Sequence, residues 1–333
     1  MTLINGSKII VVLATGGTIA GTSASAADNI GYTAAQMGVD DLLQSVAGLS
    51  TVLAGRILVS EQAAQIDSKD MSFAVWQQLA LRVSHHLAQA DVQGIVITHG
   101  TDTLEETAYF LHAVLPAALQ HSKPVVLTCA MRPASSLAPD GPQNLLDALA
   151  VATTDGACGV VAVCAGTLHG ALEVQKVHTY RLDAFSSGDA GPLGYIEEGA
   201  VRLLRNWPLA PVDGPDSTFE KMATLKNWPR VEVVMSYAGA SGSIVDALLC
   251  QAGALYPEAA PLRGLVVAAT GNGTLHHELQ AALLRAQAAG VTVWRATRCA
   301  SGRVLPTPGS VFPDSQGLSP VKARVALMLT LMQ

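Results

Sequence analysis

Two strand-to-helix turns hold the side chains whose types and spacing could do chemistry. The first, Ala14-Thr15-Gly16-Gly17-Thr18-Ile19-Ala20-Gly21, follows the apolar run Ile9-Ile10-Val11-Val12-Leu13. An unbroken β-branched run suits a parallel strand covered on both faces. The carboxyl edge of such a sheet is where ligands sit. Thr15 and Thr18 are therefore displayed hydroxyls beside free backbone N–H groups, and one of them is a candidate nucleophile. A threonine hydroxyl is weak in that role and needs a base or a lowered pKa. The second turn, Ile97-Thr98-His99-Gly100-Thr101-Asp102-Thr103, ends another apolar run that starts at Gly94. Thr103 and Glu106 have the spacing of a capping box, so capping alone accounts for one hydroxyl. Two hydroxyls and a carboxylate in one turn exceed that need.

Several elements must position these turns. The small-residue segment Thr22 to Ala35, with Tyr32 inside it, reads as a mobile loop. Asp40 to Val46 reads as a short helix and Ala54 to Ser60 as a strand. The polar turn Gln65-Ile66-Asp67-Ser68-Lys69-Asp70-Met71 then opens an amphipathic helix from Phe73 to Gln89. Within it His85 and His86 are neighbours, point in different directions and make poor joint metal ligands. Strands are expected at Gly94–His99, Pro124–Ala130 and Gly159–Cys164, and helices at Leu104–Leu115 and Asn144–Thr153. The polar stretch Ala165 to Gly191 holds Lys176, which taken alone reads as a solvated lysine. Asn206 to Asn227 has Pro208, Pro211 and Pro215 without periodicity and reads as a linker. A second α/β rhythm follows. Its strands are Val231–Tyr237, Gly264–Thr270 and Val291–Thr297, and its helices Ser243–Ala252, Leu275–Ala289 and Pro320–Met332. The turn Gly271-Asn272-Gly273-Thr274 lies between them. The dinucleotide pattern G-x-G-x-x-G is absent.

Composition bounds the function. The chain has 333 residues, half of them hydrophobic and 14% charged, enough apolar content for two domains without metals or disulfides. A net charge of −6 with no basic block argues against nucleic acid as a partner. No apolar run is long enough to span a bilayer, which argues against a membrane protein. Cys129, Cys158, Cys164, Cys250 and Cys299 are odd in number and form no C-x-x-C pair. They read mostly as buried thiols of a reducing compartment. With no signal-type segment at the start, a cytoplasmic protein is expected.

Taken together, the two turns resemble the bacterial L-asparaginase and glutaminase-asparaginase family, in particular its high-affinity type II branch. The likeness continues in order through Glu105-Glu106-Thr107-Ala108-Tyr109-Phe110-Leu111, Ala130-Met131-Arg132-Pro133 and Asp140-Gly141-Pro142. It resumes at Gly191-Pro192-Leu193-Gly194-Tyr195-Ile196, Gly271-Asn272-Gly273 and Lys322-Ala323-Arg324-Val325. The expected fold is α/β. Two Rossmann-like domains are expected, a larger N-terminal one with a doubly wound sheet (1–205) and a smaller C-terminal one with a parallel sheet (228–333), joined by a linker (206–227).

The resemblance implies hydrolysis of the side-chain amide of L-asparagine to L-aspartate and ammonia through a threonine acyl-enzyme, with lesser L-glutaminase activity. It implies Thr18 as nucleophile, Tyr32 above it moving its proton, and Thr101, Asp102 and Lys176 as a second hydroxyl–carboxylate–lysine group. The N–H groups of Gly17 and Thr101 stand where an oxyanion hole would be. Ser68 and Asp102 would hold the α-carboxylate and α-ammonium. Asn272 would serve a neighbouring subunit's site, which implies a homo-oligomer, a dimer of dimers. No metal or cofactor is implied. Two departures bear on the substrate's ammonium. Lys69 stands where the family commonly has glutamine or glutamate, and Ser301 to Gln316 contains no glutamate, with Asp314 its one acid. Lys69 is expected to turn to Asp67, Asp70 or another carboxylate, or to reach the α-carboxylate of the substrate. Two other readings compete. One is an amino-acid or nucleotide sensor without turnover, which would not need the full set of Thr18, Thr101, Asp102 and Lys176. The other is the glutamine-hydrolysing subunit of a tRNA-dependent amidotransferase, which usually has an extra N-terminal domain.

Overall fold

The computed structural model describes residues 8–210, 215–250 and 260–332. Packing divides the chain into two units, Met1–Phe219 and Glu220–Gln333. The first opens with β1 (Ile9–Gly16), α1 (Val39–Gln44), α2 (Leu49–Leu53), β2 (Ile57–Ile66), α3 (Phe73–Leu87), β3 (Val92–Thr98), α4 (Leu104–Val114), α5 (Ala117–Gln120), β4 (Pro124–Thr128), α6 (Gly141–Thr153) and β5 (Gly159–Cys164). It continues through β6 (Thr167–Gly170), β7 (Gln175–Lys176), β8 (Phe185–Ser186), β9 (Gly194–Glu197) and β10 (Ala200–Leu203), and α7 (Pro215–Thr224) runs across the division at Phe219. Eight strands form one sheet in the order β10-β9-β6-β5-β4-β3-β1-β2, and β7 pairs with β8 apart from it. The five strands from β2 to β5 run parallel, and β6, β9 and β10 extend the sheet antiparallel.

The central strands are apolar because both faces are covered. Ile10 and Val12 of β1 pack with Val96, Val126 and Val161 under α1 and α6, while α3 and α4 lie against the sheet with Trp76 stacked on Phe110 at 4.8 Å. Each such side chain contributes about 1.5–3 kcal/mol on burial. From β1 the chain goes first to β2 on one side and then to β3 on the other. The carboxyl ends of β1 and β3 therefore flank the point where the winding reverses, which is where open α/β sheets bind ligands. Both threonine turns stand there.

The second unit has β11 (Arg230–Met235), α8 (Ser243–Cys250), β12 (Leu262–Ala269), α9 (His277–Ala288), β13 (Thr292–Thr297) and α10 (Pro320–Thr330). Its three strands are parallel in the order β11-β12-β13. Val234, Leu265, Val267 and Val293 pack with Val245 of α8 and Leu279 and Leu283 of α9.

The structure departs from the sequence expectations in several places. Strand β2 lies later than Ala54–Ser60, and α2 stands where no helix is expected. The stretch Ala165 to Gly191 contains β6, β7 and β8. The expected linker contains α7, with Met222 fully buried; a proline is tolerated in the first turn of a helix, so Pro215 opens this one. Residues 211–214 of that stretch, and the expected end of the helix beyond Cys250, lie outside the described residues.

Candidate active site

Backbone brings the two turns together. Gly16 and Gly17 take φ of +98° and +82°, the left-handed region that favours glycine. A Cβ on Gly17 would run into the Gly100 backbone, so at that point main chain lies directly on main chain. The Thr15 hydroxyl donates to the Thr98 carbonyl at 2.9 Å and ties the end of β1 to that of β3. The Gly17 N–H, expected as an oxyanion donor, donates to the Ile66 carbonyl at 2.9 Å. An oxyanion role for it requires that bond to open.

Thr18 starts a 3-10 turn at Thr18–Ala20 and is buried. Its hydroxyl and the Tyr32 hydroxyl lie 2.6 Å apart. The segment holding Tyr32 is bonded at both ends and along its length. Thr22 and Thr33 exchange two backbone bonds of 2.9 and 2.8 Å, and Ala35 N–H donates to the Gly17 carbonyl at 3.0 Å. Its outer side meets the loop after β4: Ala134 N–H donates to the Gly21 carbonyl at 2.9 Å and Leu137 N–H to the Ala26 carbonyl at 3.0 Å.

At the end of β3, the Lys176 ammonium donates to the Thr101 hydroxyl at 2.8 Å and to Asp102 Oδ1 at 2.6 Å. The lysine side chain is 19% exposed and the aspartate 54%, so the pair opens to solvent on the carboxylate side. Ser68, buried after β2, joins this group. Its hydroxyl accepts from Asp102 N–H at 3.2 Å, and its carbonyl accepts from the Thr103 hydroxyl at 2.8 Å. That second bond replaces the expected capping box: Thr103 makes no side-chain cap to α4. A cleft of about 420 Å³ is lined by Asp102, Lys176, Val177, His178 and Thr179.

Two supports were not legible as such. Lys176 main-chain N–H donates to Glu105 Oε1 at 3.3 Å. His99, fully buried, lies 2.7 Å through Nδ1 from the Gly100 carbonyl and 2.9 Å through Nε2 from the Thr107 hydroxyl, which accepts from the Trp76 indole N–H at 2.9 Å. A carbonyl only accepts, so Nδ1 donates and the Thr107 hydroxyl donates to Nε2. Burial pulls the imidazole pKa down to about 4 and keeps it neutral. The sequence signals were the place of His99 inside the second turn and, for Glu105, its place just after that turn at the head of a stretch that shares the family resemblance.

Lys69 is exposed and pairs with Asp67 at 2.6 Å and Asp70 at 3.5 Å. Chiefly through the Asp67 hydrogen bond, its pKa is held above the usual lysine value. Asn272 lies in the second unit, where its Oδ1 accepts from Leu305 N–H at 2.6 Å and its Nδ2 donates to the Leu305 carbonyl at 3.4 Å. Thus Thr18 with Tyr32, and Thr101, Asp102, Lys176 and Ser68, form two bonded groups on adjacent strand ends.

Comparison with known proteins gives a consistent result. The family model described as Asparaginase, N-terminal matches residues 9–209, and the one described as Glutaminase/Asparaginase C-terminal domain matches residues 230–333. The chain is 35% identical to L-asparaginase 2 of Bacillus subtilis, over 97% of this chain and 82% of that protein. It is 37% identical to the glutaminase-asparaginase of Pseudomonas fluorescens, over 97% and 86%. The crystal structure of a probable cytoplasmic L-asparaginase from Campylobacter jejuni superposes with a TM-score of 0.87 at 34% identity, covering 98% of this chain and 96% of that one.

Proposed function

The chain belongs to the asparaginase family, and on that premise we propose that it hydrolyses the side-chain amide of L-asparagine to L-aspartate and ammonia, with lesser activity on L-glutamine. The observation that carries this reading is the pair of bonded groups, Thr18–Tyr32 and Thr101–Lys176–Asp102, on strand ends that touch at Gly17 and Gly100. A sensor needs one recognition surface; two hydroxyls each joined to a proton-moving group suit a two-step acyl transfer.

In this mechanism the Thr18 oxygen attacks the amide carbon while its proton passes to the Tyr32 hydroxyl, 2.6 Å away, which gives its own proton to the departing amide nitrogen. The N–H of Thr101 stabilises the carbonyl oxygen, a contribution of about 2.7–4 kcal/mol for one such donor. Collapse releases ammonia and leaves an ester on Thr18. Water then attacks the ester, and its proton passes through the Thr101 hydroxyl, held by Lys176 beside Asp102, to the Thr18 oxygen as the ester C–O bond breaks and L-aspartate is released. Ser68 and the outer oxygen of Asp102 hold the substrate's α-carboxylate and α-ammonium. Lys69, turned onto Asp67, stays clear of the ammonium.

The same proposal extends to the assembly, a dimer of dimers in which Asn272 serves a neighbour, and to the domain limits 1–205 and 228–333. It also places the protein in the cytoplasm, which the odd number of cysteines and the Campylobacter relative's name support. The test is ammonia release from L-asparagine, L-glutamine and D-asparagine by the wild type and Thr18→Ala. Release from L-asparagine that is lost in Thr18→Ala is expected. No release from either L-amide would overturn the proposal.

A further inference from the structure

We propose that Glu105 is a positioning residue: its carboxylate holds the main chain of Lys176 so that the ammonium stays on Thr101 and Asp102. The inference rests on the role given to Lys176 above.

Lys176 needs such a hold because its own strand is minimal. β7 has two residues and pairs only with the two residues of β8, with Lys176 opposite Phe185. A two-stranded ribbon is marginal in water without further packing. The next N–H, that of Val177, donates to the Ala184 carbonyl at 2.8 Å on the β8 side. The Lys176 N–H is directed instead to α4, where Glu105 Oε1 accepts it at 3.3 Å. Glu105 occupies the first turn of α4 and is 8% exposed. Thr101 and Asp102, which take the ammonium at 2.8 and 2.6 Å, lie in the turn that enters the same helix. One segment, residues 101–105, therefore grips Lys176 at both ends of its side chain. A lysine stem has many rotamers, and fixing its Cα end leaves far fewer that reach two acceptors at once. Small misplacements of a reacting group cost on the order of a hundredfold in rate.

Three substitutions separate the possibilities. Glu105→Gln keeps an acceptor at the same reach, Glu105→Asp withdraws it by one methylene, and Glu105→Leu removes it at similar volume. Each is assayed for kcat and KM on L-asparagine and for amide hydrogen exchange at Lys176, with the thermal midpoint as a check on folding. Glu105→Gln is expected to keep kcat within about threefold and to keep the Lys176 amide protected. Glu105→Asp and Glu105→Leu are expected to lower kcat by roughly 10- to 100-fold, with KM within about threefold, and to speed Lys176 exchange at least tenfold. Unchanged exchange in both Asp and Leu variants overturns the inference, as does faster exchange with unchanged kcat. Equal loss in the Gln variant also overturns it, since the charge and not the bond would then be at work. If Glu105→Leu does not fold, Glu105→Asp decides. If the wild type releases no ammonia from either L-amide, the proposed function fails, and the exchange data alone still show whether Glu105 holds Lys176.

Discussion

Thr15 and Thr18 share one glycine turn, yet their hydroxyls have different surroundings. Thr15 is bonded to the Thr98 carbonyl, whereas Thr18 faces the Tyr32 hydroxyl. Thr18→Ala is therefore expected to lower turnover by roughly four orders of magnitude or more, the scale of removing a nucleophile. Thr15→Val is expected to cost about 0.5–1.5 kcal/mol of stability, because it removes a buried hydrogen bond to the Thr98 carbonyl. Single-turnover ammonia release and urea unfolding measure the two effects. Abolished acyl-enzyme formation in Thr15→Val, with an active Thr18→Ala, would reverse the assignment. Lys69 offers a second contrast. A lone cation about 5 Å from the substrate's ammonium would cost roughly 3 kcal/mol at an effective dielectric near 20, or about a hundredfold in affinity. Between Asp67 and Asp70 its charge is locally offset. KM for asparagine in Lys69→Gln should then stay within about threefold of wild type; a drop near a hundredfold would show that the lysine repels substrate.

At the scale of elements, the turn from β3 into α4 rests on a neutral imidazole. His99 has a folded pKa of about 4 against an ordinary 6.5, so the unfolded chain takes up the proton first as pH falls. Its contribution is complete above pH 6.5 and is lost progressively down to pH 4, by about 3 kcal/mol in all. In His99→Gln, which can still donate to Gly100 and accept from Thr107, that part of the slope should vanish. Unfolding free energies at pH 7.5, 6 and 5 test this, and identical slopes in both proteins would refute it. The elements that the sequence made legible are those buried on both faces. β1 and β3 are nearly pure apolar runs, and their glycine turns announce themselves. β2 is an edge strand, half exposed along most of its length, so Ser60, Glu61, Gln62 and Gln65 hide it from a search for apolar runs. β6 to β10 have two to four residues each, too few for a period of two to show. Thr103 looked like a cap because spacing reveals only local partners. Its hydroxyl goes to Ser68, 35 residues away. Glu105 was hidden for the same reason, since its partner Lys176 stands 71 residues further on.

For the whole molecule, the proposed assembly makes a prediction of its own. Thr18→Ala and Asn272→Ala, each inactive, should restore roughly a quarter of wild-type turnover when refolded together in equal amounts, by random pairing across a two-fold axis. Asn272 grips the Leu305 main chain through both atoms of its amide. The Asn272→Ala protein should therefore also show faster amide exchange around Leu305. Sedimentation establishes the oligomer in each mixture. A fully active monomer, or a mixed oligomer without activity, would contradict the shared site.

The reversal of winding between β1 and β3 has a consequence for synthesis on the ribosome. The first turn emerges early but acquires its neighbour only when β3 arrives, since β1 pairs with both β2 and β3. Lys176 comes 75 residues after Thr101, about 4–15 s later at 5–20 residues per second. During that interval the nascent chain holds both threonines and Asp102 before the lysine that joins Thr101 to Asp102 has been made. A chain released before residue 176 has the two hydroxyls and lacks the ammonium that joins one of them to the carboxylate.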